Sequence, residues 1–269
     1  MAFDESIARA AFNRAADSIE TTAVQNPVNA WMRKASRREL LATFPAGAAL
    51  LEVGCGTGAD AVFLAERGYR VAALDISDRM VELARDRVAA RDLERNVVVW
   101  RGRLCDVETE LATSPWFPFD GAYANFSLAY EDSLRGVAQI VSALVKPGAW
   151  FVFSLPNKFC VSEPAVAFAR LHFWEVLRRF REPRWATIRG SSLRVHAYTP
   201  GEVRRILRSF FAVGSIAGLP VFMPPPYLFH SAFERLWKTL ELFDDRLAAR
   251  FPWRSLGEST LFKVQRVGA

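Results

Sequence analysis

Cysteine is scarce in this 269-residue chain, and long apolar runs are missing. The three cysteines, Cys55, Cys105 and Cys160, are scattered and form no Cys-x-x-Cys pair, which argues against a disulfide framework and against a zinc site. No apolar run reaches the ~18 residues of a membrane-spanning helix. The first residues lack a basic segment followed by an apolar one, so we expect no secretory signal and a cytoplasmic protein with free thiols.

Composition and charge restrict the class further. Hydrophobic residues make up 51% of the chain, which is enough for a sizeable core, and the length fits one large α/β domain. The net charge of +6 comes mostly from arginine. Such a charge is compatible with nucleic acid, an anionic membrane surface or an acidic substrate, but moderate basicity also serves solubility alone.

From Ala48 onward, short apolar runs alternate with amphipathic helical segments. The runs that predict strands are residues 48–53, 71–74, 96–100, 119–124, 150–155, 210–216 and 261–267. Between them, Ser77 and Thr199 stand where helix N-caps are expected, and Thr199 begins a capping-box spacing with Glu202. The alternation predicts an α/β fold with a doubly wound, mostly parallel, seven-stranded sheet covered on both faces.

Three segments lie outside this alternation. Residues 1–44 are predicted to be helical. Residues 156–196 are too long for an ordinary connection and are predicted as an inserted cap, with a helix over residues 164–180. Residues 221–227 contain three consecutive prolines and are expected to form an extended wall, because proline cannot join a sheet interior. We expect residues 1–269 to form a single domain.

Three alternating glycines, Gly54, Gly56 and Gly58, follow the first predicted strand directly. Glycines between a strand and a helix let the backbone pass close to a ligand that binds at the start of the helix. The spacing also satisfies the dinucleotide fingerprint, so an NAD(P)-dependent oxidoreductase remains an alternative. Glu52, two residues before the first glycine, would repel a diphosphate and suit a positively charged ligand. Asp75 ends the next strand, where its carboxylate can accept hydrogen bonds from ribose hydroxyls.

With these residues the chain resembles the class I S-adenosylmethionine-dependent methyltransferases, which share a Rossmann-like fold. The segments that carry the resemblance are residues 51–58 (LEVGCGTG), 74–77 (LDIS), 119–126 (FDGAYANF) and 144–148 (LVKPG). The resemblance implies S-adenosyl-L-methionine as the cofactor, no metal, and residues 1–44 as covering helices. S-adenosylmethionine is a sulfonium cation that also carries an ammonium group, which fits the carboxylate at Glu52.

The resemblance also implies a set of cofactor-binding residues. Glu52, Gly54, Gly56 and Gly58 would face the methionine portion, Asp75 the ribose, Ile76 the adenine ring, Leu104 and Cys105 the adenine edge, Asn125 the region below the sulfonium, and Arg33 the cofactor carboxylate. The family more often has Gly-Asp-Ala at the adenine edge, where this chain has Arg103, Leu104 and Cys105.

Methyl transfer from a sulfonium is an in-line displacement, in which positioning of the acceptor supplies most of the acceleration. A carboxylate or free amine acceptor needs no strong base, whereas a hydroxyl or carbon acceptor does. His196, His230 and Tyr123 are candidates for that base, but ordinary packing or surface roles explain them equally well, so no catalytic residue is assigned.

The partner predicted from the sequence is a small-molecule substrate. Aromatic residues in the 156–196 cap favour an apolar or aromatic acceptor, although they would serve equally as the core of the cap. Residues 124–127 read Ala-Asn-Phe-Ser rather than the Asn-Pro-Pro-Tyr type, so we do not expect nucleic acid as a partner. Peripheral membrane contact by a basic amphipathic helix stays a minor alternative, as does a cofactor-binding scaffold without catalysis. The sequence does not specify the oligomeric state.

Overall fold

The computed structural model describes residues 5–162, 184–226 and 234–268. Nine strands occur in these residues: β1 (Ala49–Val53), β2 (Arg70–Asp75), β3 (Val97–Arg101), β4 (Phe119–Ala124), β5 (Val145–Pro156), β6 (Arg184–Ile188), β7 (Ser191–Val195), β8 (Phe211–Leu219) and β9 (Ser259–Arg266). Strands β6 and β7 form a separate hairpin, and the other seven form one sheet.

The order of strands in the large sheet is β3-β2-β1-β4-β5-β9-β8. The first five are parallel, and β9 runs antiparallel to both β5 and β8. This architecture confirms the predicted doubly wound, mostly parallel, seven-stranded sheet. The chain leaves β1 toward β2 on one side and later returns to β4 on the other, so the strand order reverses between β1 and β4. In open α/β sheets, ligands bind at this switch point, beyond the carboxyl ends of the strands.

The sheet is covered on both faces by helices. The α-helices of the described residues are α1 (Glu5–Gln25), α2 (Pro27–Thr43), α3 (Ala59–Ala65), α4 (Asp78–Ala89), α5 (Glu108–Ala112), α6 (Leu134–Leu144), α7 (Pro200–Leu207) and α8 (Glu234–Leu247). All five residues of β1 are buried. Because side chains alternate along a strand, Leu50 joins the core on one face and Leu51 the core on the other. Across the described parts of the chain, none of the helices has both the length and the apolarity needed to cross a membrane.

Helix starts follow the predicted capping chemistry. The Ser77 hydroxyl accepts a hydrogen bond from the Met80 N–H at 3.1 Å, and Thr199 and Glu202 form the reciprocal pair of a capping box. The N-terminal segment is divided into α1 and α2 at Asn26, whose side-chain oxygen accepts hydrogen bonds from the backbone of Val28 and Asn29. The predicted helical character of this segment is therefore present as two helices, of which α2 has a side-chain N-cap.

Helix α1 is fastened to the start of α4 by polar contacts. The side-chain oxygen of Asn13 accepts hydrogen bonds from the Ser77 hydroxyl at 2.6 Å and from the Arg79 N–H at 3.2 Å. The Arg79 guanidinium in turn bonds Asp17 at 2.7 Å. These contacts hold α1 beside the carboxyl ends of β1 and β2, where the switch point opens.

The inserted segment differs in part from its prediction. The helix expected over residues 164–180 lies outside the described residues. The β6–β7 hairpin within the insertion was not predicted. Its two-residue turn, Arg189 and Gly190, has positive φ angles of 45° and 81°, which is the geometry that favours tight hairpins. The sequence did not indicate this turn, because the first position is arginine, whereas asparagine or aspartate before glycine is the usual pattern of such turns.

A buried carboxylate holds the proline-rich segment predicted at residues 221–227, of which residues 221–226 are described. Asp244 of α8 is 1% exposed and accepts hydrogen bonds from the backbone N–H groups of Val221, Phe222 and Met223 at 2.7–3.1 Å. The segment satisfies its backbone on a side chain rather than on a neighbouring strand, which agrees with the expectation that it stays outside the sheet.

The aromatic core of β5 and β9 generates a stability prediction. Phe153 is fully buried, and its ring stacks on Phe262 with centroids 5.2 Å apart. We expect Phe153→Ala to lower the free energy of unfolding by about 3–5 kcal/mol, because it removes buried apolar surface and leaves a cavity. Urea unfolding followed by circular dichroism measures this change.

Phe251→Ala is the matched control, because the Phe251 side chain is 81% exposed. We expect its effect to stay within about 0.5 kcal/mol. Equal effects of the two substitutions would contradict the described core.

Candidate functional site

A cavity of about 200 Å³ opens at the switch point, beyond the carboxyl ends of β1, β2 and β4. Its described walls come from these strand ends, from the glycine loop, and from α1 and α2. The lining residues are Ala8, Phe12, Ile19, Arg33, Glu52, Val53, Gly54, Cys55, Gly56, Thr57, Ala59, Asp60, Leu74, Asp75, Ile76, Met80, Gly102, Arg103, Asn125, Phe126, Ser127, Tyr130 and Glu131. Helix α1 contributes Ala8, Phe12 and Ile19 as an apolar cover.

The backbone of the glycine loop adopts positive φ angles, which residues with a side chain rarely adopt without strain. Gly54, Gly56 and Gly58 have φ angles of +75°, +53° and +72°. A Cβ at Gly54 would lie 2.3 Å from the Cβ of Ser127, and one at Gly58 would lie 3.0 Å from the Cβ of Ala84. The first glycine therefore lets the loop approach the segment after β4, and the third lets it approach α4.

Glu52 is a buried carboxylate at the base of the cavity. It is 2% exposed, and its Oε2 has no hydrogen-bond partner among the described residues. Burial raises the pKa of Glu52 well above its ordinary value, and the nearby Asp60 and Asp75 carboxylates raise that pKa further. The Tyr123 hydroxyl and Arg33 act in the opposite direction. A buried carboxylate oxygen without a hydrogen-bond partner costs folding free energy, so Glu52 is a candidate position for contact with a donor or cation.

Asp75 joins the glycine loop to the second strand. Its carboxylate accepts hydrogen bonds from the backbone N–H groups of Gly56 at 2.8 Å and Ser77 at 2.9 Å. Burial raises the pKa of Asp75, although these backbone donors and that of Ile76 act to lower it. A carboxylate has about four acceptor positions, so Asp75 keeps capacity for further donors from the cavity.

Asp60 is a third acidic residue of the cavity, to which the sequence reasoning gave no role. Its carboxylate accepts hydrogen bonds from Arg37 Nε at 2.6 Å and from Asn125 Nδ2 at 2.9 Å. The Asn125 side-chain oxygen accepts a hydrogen bond from the Ser36 hydroxyl. Asp60 lies two residues after the last glycine, in the first turn of α3. This position next to the glycine loop could have identified it as a residue of the site.

Asn125 therefore has a different setting from the one expected. It lines the cavity, but both ends of its amide are engaged by protein groups, Asp60 on one side and Ser36 on the other. These contacts tie α2, α3 and the end of β4 together. The next residue, Phe126, has a positive φ of 60°, and its N–H donates a hydrogen bond to the Ser154 hydroxyl at 2.8 Å, which turns the chain sharply along the cavity wall.

Most of the predicted cofactor-binding residues meet in this one cavity. Those that line it are Arg33, Glu52, Gly54, Gly56, Asp75, Ile76 and Asn125. Gly58 stands just behind the lining, against α4. The roles assigned to these residues stay predictions, but their convergence from β1, β2, β4 and α2 shows that they share one site.

The segment expected at the adenine edge reaches the cavity through its first two residues. Gly102 and Arg103 line the wall here. Leu104 is 2% exposed and belongs to the hydrophobic core, and Cys105 is exposed, so neither side chain is part of the lining. Gly102 has a φ of +149°, and its N–H donates a hydrogen bond to the backbone oxygen of Asp75. The assignment of Leu104 and Cys105 to the adenine edge stays a prediction.

Arg103 and Glu131 form a charged rim that the sequence reasoning missed. The Arg103 guanidinium lies 3.2 Å from the Asp132 carboxylate and 3.7 Å from that of Glu131. Burial raises the pKa of Glu131, and the Arg103 charge acts to lower it. Arg103 and Glu131 are distant in the sequence and meet only in the folded chain, so no local pattern could predict the pair.

None of the three candidate bases lies in the described lining. Tyr123 is fully buried, and burial together with the Glu52 charge raises the pKa of its hydroxyl well above the ordinary value, so it stays protonated. His196 lies outside the lining, with its ring 6.3 Å from that of Tyr198. His230 lies outside the described residues. Within the described chain, no group of His, Cys, Asp and Glu residues is arranged to hold a metal ion.

Comparison with known proteins agrees with this geometry. A family model described as a methyltransferase domain matches residues 28–210, which is more than half of the chain. The chain is 31% identical over 176 residues to the demethylmenaquinone methyltransferase of Tropheryma whipplei, covering 64% of this chain and 67% of that protein. It is 36% identical over 107 residues to the S-adenosyl-L-methionine-dependent Diels-Alderase iccD of Talaromyces variabilis, covering 40% of this chain and 36% of that protein.

Several curated relatives are much longer than the matched region, and four of them are matched over only 26 to 36% of their own length. Among solved structures, the chain resembles the Burkholderia thailandensis 1,6-didemethyltoxoflavin-N1-methyltransferase with bound 1,6-didemethyltoxoflavin and S-adenosylhomocysteine. The TM-score is 0.59 at 16% identity, over 97% of this chain and 88% of that chain, which establishes the fold. From the matched family model and the shared fold, the chain belongs to the class I S-adenosylmethionine-dependent methyltransferase family.

Proposed function

We propose that this protein binds S-adenosylmethionine in the switch-point cavity and transfers its methyl group to a small-molecule acceptor. The observation that carries the proposal is Glu52, a buried carboxylate that lines the cavity with an oxygen that has no hydrogen-bond partner among the described residues. A ligand with an ammonium group and a sulfonium charge would satisfy it. A ligand with a diphosphate would be repelled, which disfavours the NAD(P)-dependent alternative.

Other residues of the cavity also fit this cofactor. Asp75 is held by backbone donors at the end of β2, with acceptor capacity left for ribose hydroxyls. The glycine loop presents backbone rather than side chains to the cavity, which leaves room for an elongated ligand. Arg33 lines the same cavity and would pair with the cofactor carboxylate, while Ile76 and Met80 would pack on the adenine ring.

When bound, the cofactor supplies a methyl group on a positively charged sulfur. Transfer of the methyl group breaks the carbon–sulfur bond and leaves the cofactor as a neutral thioether. The protein's part is to orient and to exclude water. Helix α1 covers the cavity with Phe12, whose ring packs edge-on against Tyr130 at 5.2 Å. The network of Ser36, Asn125 and Asp60 fixes the wall after β4. Fixed geometry of this kind supplies up to ~7–11 kcal/mol in favourable cases.

An apolar or aromatic acceptor fits the described mouth of the cavity. Its apolar and aromatic lining residues are Ala8, Phe12, Ile19, Phe126 and Tyr130. Two of the similar proteins are named for flat, conjugated ring acceptors, demethylmenaquinone and 1,6-didemethyltoxoflavin. No general base is part of this proposal, since the described lining offers no histidine.

A second candidate function retains the cofactor without methyl transfer. The similarity to a Diels-Alderase dependent on S-adenosylmethionine covers 107 residues, and a bound cofactor would then serve to shape the site for cyclisation. The non-catalytic scaffold is a related alternative. Cofactor binding is common to all three functions, so binding and turnover need separate measurements.

Ligand binding tests the cofactor assignment. We expect isothermal titration calorimetry to give micromolar binding of S-adenosylmethionine and S-adenosylhomocysteine and no binding of NAD. Asp75→Ala should weaken binding of both by about 100-fold, because two charge-assisted hydrogen bonds to the ribose are lost.

Asp86→Ala removes an exposed carboxylate of α4, the helix that follows Asp75, and should bind like the unmodified protein. Asp75→Asn keeps the shape of the side chain and should lie between the two extremes. Unchanged affinity in Asp75→Ala, with native circular dichroism, would overturn the ribose role.

Turnover is tested with methyl-labelled S-adenosylmethionine and a cell extract separated into small-molecule and macromolecular fractions. We expect label to enter an apolar small molecule, and not to do so with Asp75→Ala. Label in the macromolecular fraction would contradict the acceptor class. Cofactor binding without any labelled product would favour the cyclase or scaffold function.

A further inference from the structure

Tyr123 of β4 is a fully buried residue that does not line the cofactor cavity. In the sheet it lies beside Glu52 of β1 on one side and Val152 of β5 on the other. Tyr123 packs in the same core cluster as Leu50, and side chains two residues apart on a strand share a face, so Leu50 and Glu52 point the same way. The Tyr123 phenol and the Glu52 carboxyl are therefore neighbours on one face of the sheet.

Both of these side chains carry an oxygen that the fold leaves without a full hydrogen bond. Oε2 of Glu52 and the Tyr123 hydroxyl are buried and have no partner of full hydrogen-bond geometry among the described residues. Val152, the other neighbour of Tyr123 in the sheet, has an apolar side chain and offers none. The Tyr123 hydroxyl nevertheless lies close enough to Glu52 to act on its carboxyl as a hydrogen-bond donor, which lowers the pKa of Glu52.

The chemistry of the two groups decides which one donates. Burial raises the pKa of the Tyr123 hydroxyl well above its ordinary value, so the hydroxyl keeps its proton. An ionised carboxylate only accepts hydrogen bonds, whereas a phenol can donate one. Once Glu52 is ionised, the Tyr123 O–H is therefore the donor and the carboxylate is the acceptor. Such a charge-assisted hydrogen bond is roughly twice as strong as a neutral one.

The other charged groups around Glu52 come from separate elements. Asp60 of α3 and Asp75 of β2 raise the pKa of Glu52, and Arg33 of α2 lowers it. Cys55 of the glycine loop lies near as well, but burial raises the pKa of its thiol well above the ordinary value, so the thiol stays neutral. Strand β4 adds a neutral hydroxyl donor to this charged setting.

We propose that Tyr123 is a positioning residue for the cofactor, whose hydroxyl donates a hydrogen bond to the ionised Glu52 carboxylate and holds it ready for a cationic ligand. The inference rests on the proposed binding of S-adenosylmethionine. Tyr123 acts through Glu52, because it does not itself line the cavity. The ligand and the hydroxyl then favour the same ionised form of Glu52 from two sides.

Carbon-13 NMR titration of the glutamate side-chain carboxyls in the ligand-free protein tests the pair without the cofactor. Glu52→Gln identifies the Glu52 resonance. We expect Tyr123→Phe to raise the pKa of Glu52 further, because the donor that favours the ionised form is lost. An unchanged or lowered pKa of Glu52 in folded Tyr123→Phe would overturn the proposal, whether or not the cofactor binds.

Calorimetric titration with S-adenosylmethionine across pH measures the consequence for binding. A cation favours ionised Glu52, so affinity should rise with pH up to the pKa of Glu52 in the free protein. We expect Tyr123→Phe to move this rise to higher pH and to weaken binding by about tenfold on its low-pH side. Comparison of the two proteins at each pH cancels the titration of the ligand itself. An equal loss of affinity at every pH would indicate a merely structural role and contradict the proposal.

A double-mutant cycle tests whether the effect of Tyr123 passes through Glu52. In Glu52→Gln the carboxylate is absent, so adding Tyr123→Phe should change the affinity for S-adenosylmethionine little at any pH. A further tenfold loss in the double variant would contradict the proposed route. Absent binding of S-adenosylmethionine by the unmodified protein would reject the proposed function, and with it the role of Tyr123 toward the cofactor, even where the NMR titration shows the hydrogen bond.

Tyr69→Phe is the matched control. Tyr69 is also buried, but its hydroxyl donates a hydrogen bond to the backbone oxygen of Phe44 at 2.9 Å, and the residue directly precedes β2, at the edge of the sheet opposite the cavity. We expect Tyr69→Phe to lower thermal stability and to leave the pKa of Glu52 and the affinity unchanged. A change in the Glu52 pKa as large as that in Tyr123→Phe would contradict the proposal. Thermal melts check that each variant is folded.

Discussion

Three neighbouring carboxylates in the wall of one small cavity are the constraint on which the site depends. Glu52, Asp60 and Asp75 lie close enough that the last two raise the pKa of the first, in addition to the effect of its burial. Burial of like charges is costly. Arg37 and Asn125 bond Asp60, and backbone N–H groups bond Asp75, whereas Oε2 of Glu52 has no hydrogen-bond partner among the described residues. A cation bound in the cavity would add an attractive interaction with each carboxylate and offset part of their mutual repulsion.

The rest of the fold brings these carboxylates together and shields them from water. Parallel strands place the ends of β1, β2 and β4 at one edge, and the positive φ angles of the glycine loop let it turn tightly beneath them. Helices α1 and α2 complete the enclosure. Arg37 donates a hydrogen bond to Asp60 from the outer side and so stabilises the wall of the cavity.

Local patterns in the sequence were enough to predict the seven strands of the large sheet, the glycine loop and the two acidic residues at the carboxyl ends of β1 and β2. These features depend on residues a few positions apart, whose periodicity and spacing survive in any tertiary context. Contacts between distant positions escaped prediction: Asp60 with Asn125, Arg103 with Glu131, and Asp244 with the backbone after β8. The sequence also could not show that Gly102 and Arg103 line the cavity while the Leu104 side chain packs in the core, because the turn at Gly102 decides which side chain faces inward.

Proton release on cofactor binding tests the central electrostatic claim most directly. Because burial raises the pKa of Glu52, a bound cation should lower that pKa again and release a proton at any pH between the two pKa values. Titrations with S-adenosylmethionine in buffers of different ionisation enthalpy measure the protons released. The account predicts release by the unmodified protein and a clear reduction in Glu52→Gln. Identical proton linkage in the two proteins would contradict it.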